Sequence, residues 1–163
     1  MSTFSKDNTC FFTGHRAIPQ NSKEYIYNNT KKACIELITN HNVSHFINGG
    51  ALGFDTIAAL VIIELKKYYS HIKLHMYYPC TNHAERWKSY DKKIWDSIKL
   101  LADDYKYISD MPYVSGCMQV RNKAMVNDAQ YCIAYCTRNF GGTISTINYA
   151  KEKNRDIIFI SDM

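Results

Sequence analysis

Three short polar runs hold the residue types that could grip an anion or move a proton. The first, Thr13-Gly14-His15-Arg16, follows an apolar stretch. Its glycine lets the backbone turn sharply, while His15 and Arg16 add a titratable imidazole and a fixed cation. On residue type alone this run reads equally as a ligand edge or as a surface turn. The second is Asn48-Gly49-Gly50-Ala51-Leu52-Gly53-Phe54-Asp55. Three glycines in five positions, ahead of an apolar stretch, would let backbone N–H groups approach an anion at a helix N-terminus. Asp55 could cap that helix or accept hydrogen bonds from a ribose or base. The spacing is neither the dinucleotide G-x-G-x-x-G nor the P-loop G-x-x-x-x-G-K-[ST]. The third run contains Gly141-Gly142-Thr143. Bare N–H groups, a hydroxyl and the positive end of a helix dipole would suit a phosphate there. Arg121 and Asn122 lie on the preceding helical segment, where they either reach the ligand or belong to a solvated face.

The elements needed to position these runs follow from hydrophobic periodicity. Strands are expected at 9–12, 44–47, 73–78, 105–108, 131–135 and 156–160, and helices at 23–39, 55–68, 83–101, 116–129 and 142–153. The helix at 55–68 is apolar almost all round and should be deeply buried. In the helix at 83–101, Trp87, Tyr90, Ile94, Ile98 and Leu101 fall at three- and four-residue steps, an amphipathic stripe. Strand and helix alternating at this spacing describe βαβ units, hence a single α/β domain over 1–163 (core about 10–160): a Rossmann-like three-layer fold with a mostly parallel sheet of about six strands. Ligands of such sheets bind beyond the carboxyl ends of the strands. Six of the seven glycines fall at those predicted ends, the exception being Gly116.

Composition narrows the classes further. The chain has 163 residues, 46% apolar and 21% charged, with a formal charge of +5. That is one domain with a real core, and its charge suits an anionic ligand better than it suits a dedicated DNA binder. No apolar stretch is long enough to span a membrane. Residues 1–8 are polar and lack a signal-peptide pattern. Six scattered cysteines without a CxxC pair point to a reduced, cytoplasmic protein. His41 with His45, and His71 with His75, have i,i+4 spacing but fall in loop or strand segments, so no metal site is expected. No cofactor is indicated. Tyr78 and Phe140 are the aromatic residues near strand ends that could stack on a base.

Taken in order, the runs Thr13–Arg16 and 49–55, Pro79 followed by Arg86-Trp87, Gly116-Cys117-Met118, Arg121-Asn122-x-x-Met125-Val126, and Gly141-Gly142-Thr143 followed by Tyr149-Ala150 resemble the SLOG superfamily, specifically its single-domain YpsA-like branch in bacteria and their phages. The resemblance spans about residues 10–160. It implies a Rossmann-like fold that binds nucleotides or nucleotide-derived ligands, commonly as a homo-oligomer. Relatives in that superfamily include phosphoribohydrolases, the DNA-processing protein that handles single strands, and antiphage sensor domains for cyclic ADP-ribose-type signals. Phosphoribohydrolases resemble this chain at Arg121 and Gly142-Thr143 but carry a catalytic Glu where this chain has Thr146.

The resulting expectation is a nucleotide- or ribose-phosphate-binding protein acting as a sensor or sequestering module. Phosphate would sit on Gly141, Gly142 and Thr143, backed by Arg121. Asp55 and the glycine loop would hold the ribose or a second phosphate, and His15 and Arg16 would close the edge. Two other readings stand beside it. One is a phosphoribohydrolase or N-glycosidase using Asp55 or His15, and the other is a single-strand nucleic-acid binder.

Overall fold

The computed structural model describes residues 4–161, so part of the polar N-terminal stretch considered above lies outside it. Six strands form one open, all-parallel sheet: β1 (Thr9–Gly14), β2 (His45–Asn48), β3 (Lys73–Tyr78), β4 (Asp104–Tyr107), β5 (Tyr131–Tyr135) and β6 (Asp156–Phe159), in the order β4-β3-β2-β1-β5-β6. Consecutive strands are joined by α1 (Lys23–Asn40), α2 (Phe54–Leu65), α3 (Ser89–Leu101), α4 (Cys117–Asp128) and α5 (Gly142–Glu152).

Strand alternation sorts the core into two layers. Cys10 and Phe12, Phe46, Leu74 and Met76, and Ile133 and Tyr135 face one side, where α1, α2 and α3 cover them through residues such as Ile26, Leu37, Ile62, Trp95 and Ile98. Phe11, Ile47, Cys132 and Ala134 face the other side and pack on Met125, Val126, Ile147 and Ala150 of α4 and α5. Helix α2 sits deep, as its apolar surface requires, with Leu60 its exposed exception. Among the described residues no helix is long and apolar enough to cross a membrane.

Helix α3 departs from expectation. It begins at Ser89, not at 83, and its buried residues are Trp95 and Ile98, whereas Tyr90 and Leu101 are exposed. The reason lies in the chain leaving β3. The Asn82 carboxamide donates to Glu85 and accepts from the Tyr113 N–H, which ties residues 81–87 into turns. Lys88 is then extended, so the helix cannot start earlier. Two of the histidines, His45 and His75, pair across strands. His45 Nδ1 lies 2.9 Å from His75 Nε2, and His75 Nδ1 lies 2.7 Å from Asp104.

Candidate ligand cleft at the sheet switch point

The chain leaves β1, builds outward through β2, β3 and β4, and then crosses back to place β5 against the other side of β1. Helices diverge to opposite faces at such a reversal and open a crevice beyond the carboxyl ends of the two strands. Here that crevice is a cavity of about 680 Å³ between the turns after β1 and β5. Of the residues singled out from sequence, Thr13, Gly14, His15, Arg16, Ala51, Asp55, Arg121, Asn122, Gly142 and Thr143 line it, together with Tyr113, Met118 and Arg138.

Gly49, Gly50, Gly53 and Gly141 do not line the cavity, and the glycine loop works differently from the expected anion cradle. The Gly50 N–H donates to Asn48 Oδ1 at 2.9 Å, and the Ala51 N–H donates to Asp55 Oδ2 at 3.1 Å. Asn48, fully buried, also donates to the Asp55 carbonyl at 2.8 Å. Those N–H groups are therefore occupied by the chain itself. The loop's glycines serve close packing instead. A Cβ on Gly49 would lie 2.7 Å from Arg121 Nη1 and 3.1 Å from Asp55 Oδ2, while Gly53, at φ +79°, brings its backbone against the carbonyls of His15 and Arg16. The Phe54 N–H closes that junction by donating to the His15 carbonyl at 3.0 Å.

Arg121 is buried, not a solvated helix residue. It donates to the Gly49 carbonyl from Nη1 and to Asn122 Oδ1 from Nε at 2.8 Å, and Nη1 also lies 3.5 Å from the Tyr77 carbonyl. It thus braces the ends of β2 and β3 from α4 while presenting its charge to the cavity wall. Asp55, also buried, has its carboxyl pushed up to about 6 by desolvation; the Arg121 charge, the Ala51 N–H and Arg16 pull it back only in part.

The mouth of the cleft is built from exposed cations and open N–H groups. Arg16 and Arg138 are exposed. His15 is buried, and its Nε2 accepts the Thr137 N–H at 2.8 Å. The proton of the neutral ring must then sit on Nδ1, which lies 3.2 Å from an Arg138 guanidinium nitrogen. Burial first, and Arg138 second, hold the His15 pKa below its ordinary value, so the ring stays neutral. Two donors consequently face one another with no acceptor between them. Helix α5 opens beside them at Gly142 with no side-chain cap on its first turn. Thr146, standing where a phosphoribohydrolase-like Glu would be, is buried and gives its hydroxyl to the Gly142 carbonyl at 2.9 Å.

Comparison with known proteins places the chain in a family. The family model for YpsA, a SLOG family, matches residues 11–160. The chain belongs to the YpsA SLOG family. Among relatives of this YpsA-family chain, an SPbeta prophage-derived protein, YoqJ, of Bacillus subtilis strain 168 is 34% identical over 129 residues, which is 72% of this chain and 75% of that one. A UPF0398 protein of Brevibacillus brevis is 30% identical over 115 residues, 68% of this chain and 61% of that one. Two solved structures share the fold: DNA processing protein A from Helicobacter pylori (TM-score 0.67, 17% identity) and from Streptococcus pneumoniae (TM-score 0.69, 15% identity). Each match covers 94% of the YpsA-family chain, but 65% and 50% of those longer proteins.

Arg138, Tyr113, Met118 and Asn48 are the residues of the cleft and its supports that sequence reasoning left without a role. Arg138 could have been found, since it sits four residues ahead of Gly142 on the same strand-to-helix turn. Tyr113 and Met118 lie off the strand ends, in the segment that crosses back between β4 and β5; Met118 stands in the run Gly116-Cys117-Met118 without an assigned role, and no spacing signals Tyr113.

Proposed function

We propose that the chain binds a nucleotide or nucleotide-derived ribose-phosphate ligand in the switch-point cleft and retains it as a sensor or sequestering module. The observation that carries this reading is the pair of opposed donors, His15 Nδ1–H and the Arg138 guanidinium, beside the uncapped first turn of α5. A phosphate oxygen placed there would accept from both donors and from the Gly142 and Thr143 N–H groups, and would meet the positive end of the helix. Arg16 would screen a second negative charge at the rim, and Asp55, near the inner wall, would accept from a ribose hydroxyl. Thr146 supplies no carboxylate, which favours retention over turnover.

Thermal denaturation with a panel of nucleoside monophosphates, ribose 5-phosphate, cyclic ADP-ribose forms and the phosphate-free nucleosides tests the proposal. A ligand held only by the folded chain raises Tm, by about 2.7 kcal/mol of stability at a hundred times its Kd. Shifts from phosphate-bearing members and none from the nucleosides are expected. No shift from any member at millimolar concentration overturns the reading.

A second reading is favoured by one observation, the buried Asp55 carboxyl in the cleft wall, which desolvation pushes up to about 6. A carboxylic acid at that pKa could protonate a departing base in N-glycoside hydrolysis, the glycosidic bond electrons leaving with the base while water adds to the ribose C1′ and returns its proton to the Asp55 carboxylate. Incubation with nucleoside monophosphates and chromatography for free base separates turnover from retention. DNA processing protein A from Helicobacter pylori binds single-stranded DNA. Oligonucleotide binding that falls steeply with salt would bring that property to this chain.

A further inference from the structure

A second cavity, of about 500 Å³, adjoins the switch-point cleft and shares Arg16, Tyr113 and Met118 with it. Its far wall carries Arg86, Trp87 and His83. Aromatic rings interleaved with arginines are the chemistry that holds bases by stacking and the intervening phosphates by charge. Tyr113 stands on the boundary between the two cavities. It is 57% exposed, and its ring is paired with no other ring among the described residues. It is nonetheless held in place, because its N–H donates to Asn82 Oδ1 at 2.7 Å and the neighbouring Met111 carbonyl accepts from the Thr81 N–H at 3.2 Å. Those bonds fasten the segment before α4 to the turns after β3. His83, stacked on Tyr78 at 4.7 Å between centroids, is pushed down to about 4 by burial and by the Arg121 charge, so that wall adds an aromatic surface without a third cation.

We infer that the ligand has at least two base-bearing units joined by phosphate, the first in the switch-point cleft and the second against Tyr113, Arg86 and Trp87, with Arg16 at the phosphate between them. This rests on the nucleotide-binding reading above and goes beyond it by setting the ligand's size. The shared chemistry is a linked pair of nucleotides, whether free or part of a single strand.

Calorimetric titration of the whole chain with each 5′-phosphorylated homodinucleotide and its mononucleotide tests the inference. The best dinucleotide is expected to bind about ten-fold more tightly than its mononucleotide, the scale of one base stacked on a side chain. In Tyr113→Ala and Arg86→Ala, both at exposed positions, the ratio of the two affinities falls toward one. The chain has two tryptophans, so Trp95→Phe leaves Trp87 as the sole reporter, and its emission should respond to the dinucleotide and not to the mononucleotide. A ten-nucleotide homopolymer identifies the source. Binding as tight as the dinucleotide's indicates a strand, and its loss indicates a free dinucleotide. Equal affinities, or a ratio unchanged in both variants, overturn the second subsite and leave the first standing. Failure of every nucleotide to bind overturns the reading on which it rests.

Discussion

The Thr137 amide donates to His15 Nε2 at 2.8 Å and so clips the turn after β5 to the turn after β1. The neutral ring must then carry its proton on Nδ1. Nitrogen-edited NMR at pH 8 is expected to show His15 protonated on Nδ1; the Nε2–H form would contradict the geometry. Because its folded pKa is lowered, an unfolded chain takes up the proton first as the pH falls. The stabilising contribution is complete above about 6.5 and is lost below it.

Arg121 and Arg138 should separate structural support from ligand contact. Arg121→Ala leaves the Gly49 carbonyl without its buried donor and Asp55 without its nearest cation. It is expected to cost about 2–4 kcal/mol in urea unfolding and to weaken the ligand as well. Arg138→Ala removes an exposed side chain and should change stability by less than about 0.5 kcal/mol while weakening phosphate-bearing ligands. Equal stability losses in the two variants would refute the distinction.

Asp55 should make the protein less stable as its carboxyl ionises. Its folded pKa, about 6, lies above the ordinary 3.8, so the folded chain holds the proton longer and stability falls as pH rises between those values. The shift corresponds to about 3 kcal/mol. Asp55→Asn keeps an acceptor for the Ala51 N–H and removes the charge. Its unfolding free energy relative to wild type should therefore rise by about that amount between pH 4 and pH 7, and a difference independent of pH would sink the assignment.

Two glycines with positive φ should respond very differently to an added methyl. At Gly53 a Cβ would overlap the Arg16 carbonyl oxygen, so Gly53→Ala combines backbone strain with a clash against main chain. A loss of at least about 3 kcal/mol is expected, with separation of the β1 and β2 turns. At Gly116, which caps α4 in the left-handed region, nothing lies within 4 Å. Gly116→Ala should cost only about 1 kcal/mol of unfolding free energy.

Much of this molecule was legible in its residues. Alternating apolar runs implied βαβ units and a parallel sheet, because a parallel pair needs a crossover of at least a dozen residues, supplied here by a helix. The strand-end rule then directed attention to Thr13–Arg16, Asp55 and Gly142-Thr143, and these converge in one cavity. Local pattern failed where a distant partner decides conformation. Asn82 reaches Tyr113, 31 residues away, and delays α3 to Ser89. Residue type left Arg121 open between a ligand contact and a solvated face, and only the fold carried it 72 residues back to the Gly49 carbonyl.

The sequence by itself determined the kind of sheet, the edge at which a ligand is to be sought and the family resemblance, because periodicity and strand-end residue types are local properties of the chain. Only the tertiary structure decided which polar groups are still open at that edge. The glycine loop's N–H groups are taken by Asn48 and Asp55, Thr146 is bonded to its own helix, and His15 faces Arg138 donor to donor. Hydrogen-bond capacity is exhausted by whichever partner the fold brings near, and no spacing along the chain records that choice.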